Sequence, residues 1–204
     1  MPSAEAISSP SSLVSVFGSA IPPRLPAPIN QLLTRVLIPP RLEQIYARAL
    51  AGGEGEQFCA NLLRALEVEC RVSPADLDRV PRSGPVVVVA NHPFGLLEAA
   101  LLADLLPRVR PDVRFLANRL LGGVPGVGSK CFLVDPFGGA DAVRRNLAPM
   151  RDALDWLRQG GLLAVFPAGE VASFHLRERQ VREPEWNPAA ARMILRSGAA
   201  AVPL

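Results

Sequence analysis

Short apolar runs alternate with helical patterns over the second half of the chain. Runs of strand length occupy residues 86–90, 112–117, 131–134, 162–166 and 200–204, and the first holds four consecutive valines. Such runs are typical of strands that are buried on both faces of a sheet. Apolar residues at helical spacing occupy residues 96–105, 141–159 and 188–197, between these strands. The alternation predicts an α/β fold, in which a mainly parallel sheet is flanked by helices.

The first 80 residues follow other patterns. Residues 1–29 are rich in Ser, Ala and Pro without periodicity, which predicts a disordered arm. Residues 30–80 predict an N-terminal helical segment, and residues 81–204 are then the α/β domain. In the helical segment we expect helices at 31–38, 42–50 and 56–66, a strand at 67–72, and a helix start at Pro74 capped by Ser73. The apolar residues of 32–38 fit either an interfacial patch or packing on the core.

A histidine and a carboxylate follow the valine strand. His92 lies just after the strand, and Glu98 lies in the first turn of the next predicted helix. This spacing allows Glu98 to orient His92 as a general base. The ordinary alternative is a loop histidine with one structural hydrogen bond and a glutamate that favours the helix N-terminus. Taken alone, these two residues favour the ordinary alternative.

Three strand ends carry motifs that, in a parallel sheet, meet at one edge. They read Asn91-His92-Pro93-Phe94-Gly95, Asp135-Pro136-Phe137-Gly138-Gly139 and Phe166-Pro167-Ala168-Gly169-Glu170, and a Val-Pro pair closes the chain at residues 202–203. Their order resembles the lysophospholipid/glycerolipid acyltransferase family, and the wording of the first motif is closest to the bacterial haemolysin-like branch of that family. The resemblance covers about residues 82–204. It implies an acyltransferase-like fold.

The chain departs from the family pattern at several positions. The first motif is His92-x5-Glu98 where the family has His-x4-Asp, and Ala168 stands where many members have Glu. Asp135 and Pro136 occupy the neighbourhood of the family's second-motif arginine, which is associated with the acceptor's phosphate. The chain stops at the fourth motif, so we expect the acyltransferase-like domain to be incomplete at its C-terminus.

The resemblance implies an O-acyltransferase that moves a fatty acyl group from acyl-CoA or acyl-carrier protein to a hydroxyl of a lyso-lipid or related acceptor. His92 is then the general base and Glu98 its orienting acid, without a bound cofactor or metal. The alternative is a catalytically impaired lipid- or partner-binding module with the same fold. The resemblance also implies a role in phospholipid metabolism, at the inner face of the cytoplasmic membrane, as a peripheral protein.

Further site residues follow from the same motifs and their neighbours. The candidate substrate-binding residues are Asn91, Phe94, Gly95, Arg119, Phe137, Gly138, Arg144, Phe166, Pro167, Gly169, Glu170 and Ser173. Backbone N–H groups near Gly95 and Gly169 are candidate donors to an oxyanion or phosphate, although glycine is also an ordinary turn former. Arg119 and Arg144 are candidates for the donor's phosphates, although exposed arginines more commonly lie on a solvated face.

The composition of the chain bears on which classes of ligand it binds. Net charge is +3, and Lys130 is the sole lysine among 22 basic residues. Arginine suits phosphates and lipid headgroups, but a genome of high G+C content gives the same bias. Aromatic residues make up only 5% of the chain, which argues against a nucleic-acid platform.

Several other classes of site or segment are disfavoured. The sequence has no uncharged apolar run long enough to span a membrane, and its N-terminus does not match a secretory signal. No serine sits in a nucleophile elbow. The three cysteines form no CxxC pair and predict buried thiols in a reducing cytosol. His175 lies in a charged loop, where we expect it to be exposed.

Overall fold

The computed structural model describes residue 13, residues 39–136 and residues 139–204. Within these residues the α-helices are α1 (Pro40–Ala51), α2 (Glu56–Ala65), α3 (Pro74–Leu77), α4 (Leu96–Leu105), α5 (Ala140–Arg158) and α6 (Ala189–Ser197). The strands are β1 (Val86–Val89), β2 (Val113–Asn118), β3 (Cys131–Val134), β4 (Leu162–Val165), β5 (Ser173–His175), β6 (Gln180–Arg182) and β7 (Ala200–Pro203). Apart from residue 13, the predicted arm at 1–29 and the predicted helix at 31–38 lie outside the described residues.

The described strands form a five-stranded parallel sheet in the order β3-β2-β4-β1-β7, with β5 and β6 as a separate antiparallel hairpin. Val86 and Val88 of β1 pack on one face with Leu102 of α4. Val87 packs on the other face with Leu157 of α5 and Met193 of α6. Both faces are therefore covered, which explains the valine run and confirms the predicted α/β fold.

Helix α1 packs on α2, and α2 packs on α4, around a separate apolar cluster. Tyr46 and Phe58 meet edge to face with ring centroids 5.6 Å apart, and Ala100 of α4 and Val124 join the same cluster. These helices match the predicted ones at 42–50 and 56–66. Helix α3 begins at Pro74 as expected, and the Ser73 hydroxyl accepts a hydrogen bond from the N–H of Ala75 at 3.2 Å.

The strand predicted at residues 67–72 is wrong. Those residues follow α2 without regular structure, and most of them are exposed. Valines and charged residues occur there in turn, but none of the described strands pairs with this segment. The hairpin of β5 and β6 was not predicted, because its residues form a polar loop without a clear alternating pattern.

Of the three cysteines, Cys59 is buried and Cys131 half-buried, but Cys70 is exposed, contrary to expectation.

A buried arginine ties together the segments that enter the sheet at its amino edge. Arg110 is only 4% exposed, and its guanidinium pairs with the carboxylate of Asp112. It also donates hydrogen bonds to the carbonyls of Pro81 and Gly84 at 3.2 and 2.8 Å, and to the carbonyl of Gly160. Gly84 and Gly160 precede β1 and β4, so one side chain fixes the starts of the two central strands.

Candidate active site

The chain turns sharply between β1 and α4. Gly95 has a φ of 81°, a conformation that favours glycine, and a Cβ at this position would lie 3.2 Å from Cγ2 of Val171. At the end of β1, the N–H of Ala90 donates to the carbonyl of Val165 at 3.2 Å. The turn therefore places His92 beside the end of β4 and Glu98 within the first turn of α4.

The Glu98 carboxylate faces two groups. Its Oε1 accepts a hydrogen bond from the N–H of Phe94 at 2.6 Å, which resembles the backbone half of a capping box. Its Oε2 lies 3.5 Å from Nδ1 of His92, and the two side chains are 14% and 18% exposed. Among the described residues, neither Nδ1 nor Oε2 has a hydrogen-bonding partner. One oxygen of Glu98 therefore contacts the backbone before α4, while the other faces the imidazole of His92.

The surroundings of His92 favour a neutral imidazole. Its ring stacks on Phe166 with centroids 4.2 Å apart and an interplanar angle of 19°. Burial lowers the pKa of His92, while the carboxylates of Glu98 and Glu183 act in the opposite direction. The net direction is downward, so at neutral pH the ring is able to accept a proton.

The backbone of His92 is held by the segment that contains β5 and β6. A carboxylate oxygen of Glu183 accepts a hydrogen bond from the N–H of His92, and the other oxygen accepts one from Nε1 of Trp186 at 3.1 Å. The carbonyl of His92 accepts a hydrogen bond from the N–H of Ala172 at 3.1 Å. Glu183 was missed at the sequence level because it is one of several glutamates in a charged loop, where no local pattern distinguishes it.

A cavity of about 540 Å³ opens beside His92. Its walls are mostly apolar and come from α2, α4, β2 and the turns after β2; they include Phe58, Ala99, Ala103, Phe115, Leu121 and Val124. The volume lies within the range of small-molecule sites. A polar group in the wall of a largely apolar cavity fits a ligand with a reactive head and a hydrocarbon tail.

Both thiols in the cavity wall are poor nucleophiles. Cys59 and Cys131 line the cavity, and burial raises their pKa values to about 11 and about 12. They therefore stay protonated at neutral pH and act as apolar wall groups.

Several predicted residues share this cavity with His92. The lining includes Gly95, Phe166, Pro167, Gly169 and Glu170. The N–H of Gly169 donates to the carbonyl of Phe166 at 3.0 Å, so this particular donor is engaged in a turn. Leu96, at the start of α4, also lines the cavity, and the first N–H groups of a helix lack partners within it.

Other predicted residues lie outside the lining. Asn91 and Phe94 are exposed beside His92, Arg119 and Arg144 are exposed, and Ser173 is exposed on β5. Phe137 and Gly138 lie outside the described residues. His175 is exposed as expected, with Nε2 3.5 Å from the Ser173 hydroxyl.

Comparison with known sequences identifies the class of protein. A sequence model of the Acyltransferase family matches residues 71–204, which include the His92 turn and all of the parallel sheet. The chain therefore belongs to the acyltransferase family, as its motifs predict.

The chain is also similar to mycobacterial proteins. Two of them are Uncharacterized protein Mb0514 of Mycobacterium bovis and Uncharacterized protein Rv0502 of Mycobacterium tuberculosis. Each is 34% identical to this chain in an alignment of 104 residues that covers 48% of the chain. The matched region spans 26% of the length of each relative.

No helix within the described residues is long and apolar enough to cross a bilayer.

Proposed function

We propose that this protein transfers a fatty acyl group from a thioester, carried by CoA or by acyl-carrier protein, to a hydroxyl group of a lyso-lipid or related acceptor. The observation that carries the proposal is the half-buried pair of His92 and Glu98 beside a largely apolar cavity. Family membership supports acyl transfer in general, and the cavity favours a long acyl chain as the group transferred.

His92 is the general base in this proposal. Glu98 faces Nδ1, which favours the tautomer with its proton on Nδ1 and leaves Nε2 to accept a proton. The acceptor oxygen attacks the thioester carbonyl carbon while its proton passes to Nε2. Collapse of the tetrahedral intermediate breaks the C–S bond, and the imidazolium returns the proton to the thiolate.

Glu98 stabilises the imidazolium that forms during the reaction. The extra residue between His92 and the acid is accommodated in the turn before α4, and the glutamate reaches the ring from the third residue of the helix. The first N–H groups of α4, which have no partner within the helix, are the proposed oxyanion donors, since Leu96 lines the cavity beside His92.

The proposal extends to the setting of the reaction. The motif wording favours the haemolysin-like branch, and a lipid acceptor favours a peripheral protein at the inner face of the cytoplasmic membrane that serves phospholipid metabolism. Arg119 and Arg144 are not part of the cavity lining, so a contact that they make with a donor's phosphates would be outside it.

The experiment incubates the purified chain with a long-chain acyl-CoA and a lyso-lipid. Free thiol is measured with a chromogenic disulfide, and the acylated acceptor is measured by mass spectrometry. We expect equal amounts of the two products. Release of thiol and free fatty acid without acylated acceptor would contradict the proposal and indicate a thioesterase.

A second candidate function rests on the gap between the two side chains. The 3.5 Å separation of Nδ1 and Oε2 exceeds that of an ordinary hydrogen bond, as expected for an impaired pair in a lipid- or partner-binding module. Such a module would bind the acyl-CoA or the lyso-lipid without turnover. Calorimetric binding together with the absence of both products would favour this candidate.

A further inference from the structure

The segment that anchors His92 also carries a concentration of exposed apolar side chains. We call residues 171–187, which include β5 and β6, the hairpin arm. Of the thirteen large hydrophobic side chains that the described residues expose, five lie in this arm: Val171, Phe174, Leu176, Val181 and Trp186. Phe174 and Val181 pair across the hairpin and therefore share one face. Single exposed apolar residues are normal, but a cluster of this kind marks an interaction surface.

The charges of the arm differ between its turn and its base. Glu178 pairs with Arg182 at 2.7 Å, and Glu183 is turned toward His92. Arg177 and Arg179, in the turn, have no carboxylate within ion-pair distance among the described residues. The remaining carboxylate of the arm, Glu185, lies near the base. The turn therefore presents positive charge beside the apolar side chains.

The arm begins and ends at the wall of the cavity. Its two ends, Val171 and Asn187, both line the cavity. The base is held by hydrogen bonds from the N–H of Ala172 to the His92 carbonyl and from the N–H of Asn187 to the Pro167 carbonyl, at 3.1 and 2.9 Å. A surface that receives the arm therefore lies close to the cavity and to His92.

We propose that the hairpin arm docks the protein on an anionic lipid bilayer, with its apolar side chains in the interfacial region and Arg177 and Arg179 at the headgroups. Exposed apolar residues next to arginines are the combination that binds such surfaces. The proposal rests on the proposed function for one step only, that the ligand of the cavity is a lipid. Docking by the arm lets a hydrocarbon chain pass from the bilayer into the cavity with little exposure to water.

The test is flotation of the full chain with vesicles, in the absence of acyl donor. The vesicles are phosphatidylcholine alone or with about one third phosphatidylglycerol, a content that provides an anionic surface. The Phe174→Ser/Leu176→Ser double variant is expected to lower the partition coefficient about tenfold or more, because two apolar side chains no longer enter the interface. The Arg177→Gln/Arg179→Gln variant is expected to weaken binding to anionic vesicles roughly tenfold and to leave binding to neutral vesicles nearly unchanged.

Leu195→Ser is the matched control. Leu195 and Leu176 are almost equally exposed, at 82% and 83%, but Leu195 lies near the C-terminal end of α6, which leads back to the amino edge of the sheet. The control variant is expected to bind vesicles like the unchanged chain. Equal binding by the arm variants and the control would overturn the proposal.

Two further outcomes separate docking from catalysis and from a protein partner. Normal vesicle binding by a chain without transferase activity would support docking while contradicting the proposed reaction. The arm variants could instead bind vesicles like the unchanged chain and lose turnover only on thioesters of an acidic carrier protein. That result would overturn docking on a bilayer and indicate that the arm binds the carrier protein.

Discussion

The amino and carboxyl edges of the parallel sheet differ in whether their buried polar atoms have hydrogen-bonding partners. At the amino edge, the guanidinium of Arg110 is nearly inaccessible, and it contacts a carboxylate and three backbone carbonyls. At the carboxyl edge, Nδ1 of His92 and Oε2 of Glu98 are buried, and neither has a hydrogen-bonding partner among the described residues. Buried polar atoms without partners destabilise a fold, and they are typical of sites that bind or transform a ligand.

This contrast indicates that the amino edge contributes mainly to stability and the carboxyl edge mainly to chemistry. The amino edge is closed around one arginine, so substitutions there should act on folding. The carboxyl edge leaves two polar atoms facing each other beside a cavity, so substitutions there should act on activity. Substitutions at four positions test this division, and their predicted effects decrease from Arg110 to Glu183.

Replacing Arg110 tests the amino edge. Arg110→Met removes the donor shared by the Pro81 and Gly84 carbonyls, and it is expected to lower the free energy of unfolding by about 3 kcal/mol. Arg108→Met is the control, since Arg108 also pairs with an aspartate but is 61% exposed; its expected cost is below about 1 kcal/mol. Urea denaturation measures both. Equal costs would contradict the structural role assigned to Arg110.

Replacing Glu98 by Gln tests the carboxyl edge. The amide oxygen can still accept the N–H of Phe94, but the negative charge facing His92 is lost. We expect about a 10²-fold loss of kcat with little change in unfolding free energy. Because Glu98 raises the pKa of His92, its loss should also move the acid limb of the rate profile to lower pH. An unchanged rate and pH profile would contradict a role for Glu98 in orienting the imidazole.

Narrowing the cavity tests whether it holds the acyl chain. Ala103→Leu adds bulk to a wall that Ala103 shares with Ala99, and it is expected to lower activity on long-chain thioesters relative to short-chain ones by about tenfold. Ala191→Leu, at an exposed position of α6, is the control. Competition between two chain lengths measures the ratio. A uniform loss at every chain length would indicate that the chain does not reach Ala103.

Replacing Glu183 should have the smallest effect. Glu183→Gln keeps an acceptor for the N–H of His92 but removes a charge that raises the pKa of the imidazole. The acid limb of the rate profile should therefore move to lower pH, by less than in Glu98→Gln. Glu183→Ala should in addition lower kcat severalfold, because the backbone of His92 loses this contact. Identical pH profiles for the unchanged chain and Glu183→Gln would argue against electrostatic coupling.

Local patterns were sufficient to predict the elements that build the site. The valine run predicted β1, the leucines after Gly95 predicted α4, and parallel topology then required the strand-end motifs to share an edge. His92 and Glu98 lie six residues apart, so strand, turn and helix geometry alone brought them together.

Contacts between residues far apart in the sequence could not be predicted from local patterns. Glu183 contacts a residue 91 positions away, and its loop contains several other glutamates at no distinctive spacing. The wrongly predicted strand at 67–72 shows the converse, since its valines fit a strand but no strand in the described part of the chain pairs with it. The apolar cavity is assembled from α2, α4 and β2, and no single segment indicates it.

The proposed role of His92 is tested most directly by a comparison of the two histidines of the chain. His92→Ala and His175→Ala make the same chemical change, one beside the cavity and one on exposed β5. With long-chain acyl-CoA and a lyso-lipid, we expect His92→Ala to lose about 10²- to 10⁴-fold in rate and His175→Ala to match the unchanged chain. Full activity in His92→Ala, with circular dichroism showing that the fold is retained, would contradict the proposed role of His92 as general base.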